Sequence, residues 1–128
     1  MPSKTVAQKM YIKRGMTIGF FNAPDNLKGL LGNLPEGITI RTPKGQANLD
    51  WVLGFIEDQK MLEDKLGLLK RSIIPEGALW IAYHKGSSSV DTDINRDDIH
   101  TYASTLSLKG VAMVSINENW SGFRFKKV

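Results

Sequence analysis

The stretch MTIGFFNAPDNL, residues 16–27, combines a short apolar run, a tight turn and the start of a helix. Its first six residues lie between Gly15 and Pro24, a pattern typical of a strand that is buried on both faces of a sheet. Many open α/β domains carry a glycine-rich loop directly after such a strand, whereas here the turn is Asn-Ala-Pro-Asp, residues 22–25. The stretch therefore predicts an open α/β domain whose first loop has lost its glycines.

The composition is that of an ordinary globular protein. The 128 residues are 41% hydrophobic and 23% charged, which predicts a single domain over residues 1–128. No run approaches the roughly 20 apolar residues that span a bilayer, and the basic segment MPSKTVAQKMYIKRG lacks the apolar centre of a secretory signal. Cysteine is absent, which excludes disulfides and thiolate chemistry. We therefore expect a cytoplasmic protein that does not bind membranes, with residues 1–11 forming a flexible N-terminal arm.

The net charge of +4 and the isoelectric point near 9.4 raise the question of an anionic partner. The lysines and arginines cluster only weakly, because some lie in the expected N-terminal arm and others alternate with apolar residues near the C-terminus. A nucleic-acid interface needs a concentrated basic patch, so ordinary solvated surfaces are favoured. If the protein has a partner, we expect an anionic small molecule or another protein.

Strand-like and helix-like segments alternate along the chain. Strands are predicted at residues 16–21, 38–41, 49–56, 78–83, 111–116 and 123–126, and apolar stripes predict helices that begin near residues 27, 59 and 96. Asn95 and Asp98 have the spacing of a helix N-cap and its partner. The connection before the last strand is too short for a parallel crossover. The pattern predicts a three-layer, Rossmann-like α/β fold whose mostly parallel sheet has about six strands in the order 2-1-3-4-6-5, with the last strand antiparallel.

Three segments carry a family resemblance. LKRSIIPEGALWIAY, residues 69–83, resembles the Leu-x-Pro-Gly-Gly segment of class I S-adenosylmethionine-dependent methyltransferases, and the order of elements resembles that fold without its early elements. FFNAP, PEGALWIAYHKGSSSVDTDINRDDI and WSGFRFKK together resemble a family of small bacterial proteins classed as a domain of unknown function, over residues 12–128. This resemblance implies a methyltransferase-like fold but no known activity.

The chain departs from the methyltransferase pattern at the cofactor loop. Glycines after the first strand let the backbone approach a cofactor, and a carboxylate about 20 residues further on holds the ribose hydroxyls. Here Ala23 and Pro24 occupy the loop, and the second strand ends in Arg41 and Thr42. No cofactor is therefore predicted, and S-adenosylmethionine is not expected to bind.

Candidate chemical groups are few. Asp91-Thr92-Asp93 begins like a calcium loop, but Arg96 and Tyr102 replace the required glycine and glutamate, so helix capping is favoured and no metal site is predicted. If the protein is an enzyme, the candidate acid-base groups are Asp58, His84 and Lys85, at the ends of two strands. A structural role is the favoured interpretation of His84.

The loop Lys85-Gly86-Ser87-Ser88-Ser89 fits two interpretations equally well, an anion-binding loop or a solvated linker. For Trp120, anchoring in the core is favoured over a surface for ligand stacking. Parallel strands end at the same edge of a sheet, so residues 22–25, 57–58, 84–89 and 119–121 are expected to line one shallow cleft. The predicted ligand-binding residues are Asn22, Asp25, Arg41, Lys85, Ser87, Ser88, Trp120 and Ser121.

The favoured functional hypothesis is a noncatalytic or regulatory binding domain derived from a methyltransferase-like fold. One alternative is a small-molecule enzyme, either a methyltransferase or an enzyme with a phosphate ligand, with an atypical cofactor loop. A second alternative is a basic nucleic-acid-binding protein.

Overall fold

The computed structural model describes residues 4–85 and 94–128. Within those ranges the chain forms four helices and six strands. In chain order they are α1 (Val6–Lys9), β1 (Thr17–Phe21), α2 (Leu27–Leu31), β2 (Thr39–Ile40), β3 (Leu49–Phe55), α3 (Gln59–Ser72), β4 (Ile73–His84), α4 (Arg96–Thr105), β5 (Leu108–Ser115) and β6 (Trp120–Lys127). In this described part of the chain, no helix is both long and apolar enough to cross a bilayer.

All the strands described belong to one sheet in the order β2-β1-β3-β4-β6-β5. Strands β2, β1, β3 and β4 pair in parallel, and β6 is antiparallel to both of its neighbours. The predicted fold class and strand order are therefore confirmed. The strand directions are consistent with the connections, because crossovers containing α2 and α3 permit parallel pairing whereas the short turn before β6 requires antiparallel pairing.

The two faces of the sheet have separate cores. On one face, α3 and α4 pack aliphatic side chains against the sheet, and we call this the α3–α4 face. Gly54 permits the close approach of α3, because a Cβ atom there would lie 2.6 Å from Cδ1 of Leu69. The opposite α1–α2 face is filled by large side chains of β3 and β4, above all Trp51, Phe55 and Trp80. The short helices α1 and α2 cover these rings.

The N-terminal segment is part of the α1–α2 core, which contradicts the prediction of a flexible arm for residues 4–11. Thr5 accepts a hydrogen bond from the backbone N–H of Gln8, and the Gln8 side chain accepts one from the Thr5 N–H, so a capping box begins α1. Met10 is fully buried, and its carbonyl accepts a 2.9 Å hydrogen bond from Nε1 of Trp51. Long-range packing onto Trp51 orders a segment whose basic composition alone indicated solvent exposure.

Several strand boundaries differ from the sequence-based expectation. Strands β4, β5 and β6 begin at Ile73, Leu108 and Trp120 instead of residues 78, 111 and 123, and Ile73 pairs with Leu49. Strand β2 has only two residues, and Ile40 is 58% exposed. These differences arise at strand ends and at the edge of the sheet, where pairing to a neighbouring strand overrides local periodicity.

Candidate functional site

The turn after β1 keeps a conformation that glycine usually provides. Asn22 follows the last residue of β1 and has φ 56°, in the left-handed region. Asparagine is among the few residues other than glycine that adopt this region readily. The sharp turn between β1 and α2 therefore survives the loss of the glycines.

The Asn22 side chain joins the carboxyl ends of β1 and β3. Its Nδ2 atom donates a 3.0 Å hydrogen bond to the Phe55 carbonyl and lies 3.4 Å from Oε2 of Glu57 and 3.7 Å from Sδ of Met61. Phe55 is the last residue of β3. Asn22 thus couples the turn to the strand beside it, and the two strand ends form one continuous wall.

Two carboxylates follow β3 on the solvent side of this wall. Glu57 and Asp58 are both exposed, and Oδ1 of Asp58 accepts a 2.8 Å hydrogen bond from the Met61 N–H as the N-cap of α3. A cavity of about 260 Å³ lies beside them. Its lining residues are Phe21, Asp58, Lys60, Met61, Asp64 and Lys65. Such a lining combines an apolar floor with charges of both signs.

His84 and Trp120 form the other half of the edge. They are paired residues of β4 and β6, and their rings stack with centroids 4.0 Å apart at an angle of 29°. Trp120 also meets Phe55 edge to face, with centroids 5.1 Å apart. The series Asn22, Phe55, Trp120 and His84 is therefore continuous across the carboxyl edge. The predicted proximity of Trp120 to His84 is present in the structure.

The His84 ring is buried without a hydrogen-bond partner. The residue is 7% exposed, and within residues 4–85 and 94–128 neither Nδ1 nor Nε2 has a donor or acceptor in reach. Leaving such an atom unpaired costs about 1–3 kcal/mol, so the two ring nitrogens are the polar atoms at this edge with unused hydrogen-bonding capacity among the described residues.

Lys85 and Ser121 extend the edge on either side of this pair. Nζ of Lys85 donates a 2.6 Å hydrogen bond to the Ser115 hydroxyl, and its backbone N–H bonds to the Asn119 carbonyl at 2.8 Å. Ser121 shares a side-chain hydrogen bond with Tyr83, which faces the α3–α4 core. Burial raises the pKa of Tyr83, and this hydrogen bond offsets part of the rise.

The remaining predicted site residues are dispersed. Asp25 is exposed in the turn before α2. Arg41 lies after β2 and lines a separate cavity of about 230 Å³ with Lys44, and two strands, β1 and β3, separate β2 from β4 in the sheet. Ser87 and Ser88 lie outside the described residues. Within the described ranges, no group of three His, Asp or Glu side chains is placed to hold a metal ion.

Sequence reasoning missed the contributions of Phe55 and Met61 to this edge. Both were assigned to the apolar pattern of a strand or helix, yet Phe55 contacts Trp120 and Met61 lies beside Asn22. The position of Phe55 as the last aromatic residue before Glu57 is a sequence signal that could have identified it, because side chains at the carboxyl ends of parallel strands border the ligand-binding edge.

No protein-family model matches the chain, and no curated protein sequence matches it. Solved structures do match. A ribosomal protein methylase from Lactobacillus delbrueckii subsp. bulgaricus superimposes with a TM-score of 0.60 at 9% identity, covering 94% of this chain and 74% of that one. A SAM-dependent methyltransferase from Aquifex aeolicus gives a TM-score of 0.58 at 12% identity, covering 94% and 86% of the two chains.

A third match is a Streptococcus pneumoniae protein crystallised in complex with S-adenosyl-L-methionine, with a TM-score of 0.53, 13% identity, and coverage of 95% of this chain and 70% of that one. The chain therefore has a methyltransferase-like fold. The prediction that S-adenosylmethionine does not bind is wrong as an inference from loop composition, because structures with this fold include SAM-dependent methyltransferases and a complex with that cofactor. The turn also keeps a left-handed residue, Asn22, without a glycine.

Proposed function

We propose that this protein binds S-adenosylmethionine at the carboxyl edge of its sheet and uses it for methyl transfer. The observation that carries the proposal is the left-handed turn at Asn22, directly after β1 and hydrogen-bonded to the end of β3. Ligands of open α/β sheets bind outside the carboxyl ends of the strands, where this turn lies. The fold shared with SAM-dependent methyltransferases supports an enzyme over a noncatalytic binding domain.

The residues at this edge fit a ligand that carries positive charge. Glu57 and Asp58 are exposed carboxylates beside the Asn22 turn, and they favour the cationic sulfonium and ammonium groups of the cofactor. The apolar surfaces of Phe21 and Met61 line the cavity next to the turn.

The His84–Trp120 pair supplies a place for the methyl acceptor. When bound, the cofactor supplies an electrophilic methyl group, and an acceptor N–H or O–H has to lose a proton as its bond to that group forms. A neutral imidazole has one nitrogen that can accept a proton, and neither ring nitrogen of His84 is engaged by a hydrogen-bond partner among the described residues. The half-buried Trp120 stacked on the ring shields it from water. His84 is thus the best-placed proton acceptor at this edge.

Calorimetric titration with S-adenosylmethionine and S-adenosylhomocysteine tests the proposal. We expect micromolar affinity, equivalent to about 8 kcal/mol. Asn22→Gly keeps the left-handed turn and should bind within a few-fold of the wild type, whereas Asn22→Val should lose most of the binding because a β-branched residue resists positive φ. Ala47→Val is the matched control, since Ala47 also has positive φ, at 49°, but precedes β3 at the opposite edge.

Absence of binding to either compound at millimolar concentration would contradict the proposal. Equal losses in Asn22→Val and Ala47→Val would show that backbone strain alone weakens binding and would remove the role assigned to the turn. Binding without methyl transfer to any acceptor in a screen of small molecules, peptides and RNA would contradict the catalytic part and support a regulatory binding domain.

A further inference from the structure

A third cavity lies at the amino edge of the sheet, away from the site proposed for the cofactor. Its volume is about 160 Å³. The cavity is lined by Tyr11, Lys13, Met16, Asp50, Trp51, Glu76, Ala78 and Arg124. Met16 precedes β1 and Asn22 follows it, so the length of this five-residue strand, roughly 16 Å, separates the two edges. The cavity is therefore independent of the Asn22 turn and of His84.

The cavity is lined by two cations, Lys13 and Arg124, and two carboxylates, Asp50 and Glu76. Within the described part of the chain, none of the four takes part in an ion pair. Asp50 instead accepts a 2.8 Å hydrogen bond from the Thr17 N–H through one oxygen. Positive and negative side chains that line one cavity without pairing to each other are complementary to a ligand that carries both a positive and a negative charge.

Arg124 is the most constrained of the four. Its guanidinium carbon lies 5.4 Å from the centre of the Tyr11 ring, and its Nε atom is buried without a hydrogen-bond partner among the described residues. An unpaired buried donor on a permanently charged group is costly, and a carboxylate is the acceptor that fits a guanidinium best. Arg124 thus indicates where the negative end of a ligand would bind.

Tyr11 provides a second, independent observation at the mouth of this cavity. It follows the C-cap of α1 with φ 62°, a position where glycine is usual and a bulky residue is strained. The side chain is nevertheless 51% exposed and lies over Arg124. A strained and exposed aromatic residue gains little for the fold, which points to a role in contacting a ligand.

We infer that this cavity binds a small zwitterion of the free α-amino acid class. The carboxylate of the ligand meets Arg124 and Lys13, and its ammonium group meets Asp50 and Glu76. The ligand side chain contacts the exposed ring of Tyr11. A simple anion would meet two uncompensated carboxylates in this cavity, and a simple cation would meet two uncompensated basic groups.

The first experiment measures the thermal shift and calorimetric affinity of the full-length protein with each of the proteinogenic amino acids. Propionate and propylamine serve as probes with a single charge. We expect at least one amino acid to bind at millimolar strength or better, at least about tenfold more tightly than either single-charge probe. The titrations are repeated with saturating S-adenosylhomocysteine, and binding should persist because the two edges are separate.

Variants then locate the site. Arg124→Gln should weaken amino-acid binding by about tenfold or more, whereas Lys126→Gln, an exposed lysine two residues along β6, should leave it unchanged. Tyr11→Gly removes the strained conformation, so it should retain or raise the midpoint of thermal unfolding while weakening binding. Loss of binding in a variant that is equally stable separates a ligand contact from a structural role.

Failure of every amino acid to bind would overturn the inference, as would equal affinity for propionate or propylamine. Unchanged affinity in Arg124→Gln would place any binding elsewhere. Loss of amino-acid binding in the presence of S-adenosylhomocysteine would assign it to the carboxyl edge and also overturn the inference. None of these results bears on cofactor binding itself, which the separate cofactor titration decides.

Discussion

The two faces of the sheet are built in different ways. The α3–α4 face is covered by helices of 14 and 10 residues, whereas α1 and α2 have 4 and 5 residues. Long helices supply aliphatic side chains such as Leu62, Leu66 and Ile99 to the first core, and rings on β3 and β4 fill the second core in place of longer helices. Covering a sheet with short helices requires larger side chains from the sheet itself.

The difference extends to polar groups. Within the described residues, the buried side-chain atoms that lack a partner belong to Trp80, His84 and Arg124, all on the α1–α2 face. Neighbouring residues on β4 show the contrast most directly, because Tyr83 shares a hydrogen bond with Ser121 on the α3–α4 side while His84 has none. Within the described residues, the unpaired buried polar atoms are therefore confined to the α1–α2 face.

The largest expected effect tests the stabilising face. Leu66 is a fully buried residue of α3, so Leu66→Ala should lower the free energy of unfolding by about 3 kcal/mol through lost burial and the cavity left behind. Trp80 is equally buried on the other face, yet Trp80→Phe should cost only about 1 kcal/mol or less, because it removes an unpaired N–H together with some volume. Urea denaturation of both variants measures the difference. Equal costs would break the comparison.

An intermediate loss of stability is expected on truncating Trp120, whose ring packs against Phe55 and also stacks on His84 at the proposed binding edge. The ring is half-buried between His84 and Phe55, so Trp120→Ala should cost about 2 kcal/mol, below the 3–5 kcal/mol typical of a fully buried ring. Trp120→Phe preserves an aromatic contact and should cost less than half as much. Thermal and urea unfolding provide the measurement. A cost of only a few tenths of a kcal/mol for Trp120→Ala would leave ligand stacking as the sole role of the ring.

The smallest expected effect is a change in how the free energy of unfolding depends on pH, and it arises from Tyr83, the neighbour of His84 on β4. Burial raises the pKa of Tyr83 above its ordinary value of 10.0, so the folded state holds the phenol neutral after it would ionise in the unfolded chain. The contribution of the neutral Tyr83 phenol to the free energy of unfolding is fully present below about pH 10 and is lost as the pH rises through the folded-state pKa.

Tyr83→Phe should therefore lose less stability than the wild type between about pH 9 and pH 11. The two proteins are compared at matched denaturant concentrations. Both retain Lys127, whose pKa is lowered by burial and by Lys70, so its contribution to the pH dependence is the same in both. Parallel stability curves for the two proteins over this range would show that Tyr83 ionises alike in the folded and unfolded states, contrary to its buried position.

Local patterns in the sequence predicted much of the fold. Asn95 and Asp98 form the expected capping box at the start of α4, because such a cap depends on residues only three apart. The strand order followed from loop lengths and apolar runs. The register of β4 with β6 also placed Trp120 beside His84, as the predicted topology required. These features need only short-range patterns and the chain's connectivity.

Other features depended on residues far apart in the sequence. The burial of Met10 requires Trp51, and the start of β4 at Ile73 requires Leu49 as a pairing partner. The composition of the turn after β1 did not reveal the left-handed conformation at Asn22 or the hydrogen bond from its side chain to the Phe55 carbonyl, 33 residues away. The sequence by itself determined most of the strands and helices, though not α1 or the first residues of β4, because neighbouring residues control backbone preference and periodicity. Only the tertiary structure decided which polar atoms are left without partners at each edge, because burial and hydrogen bonding are set by groups that the fold brings together from distant parts of the chain.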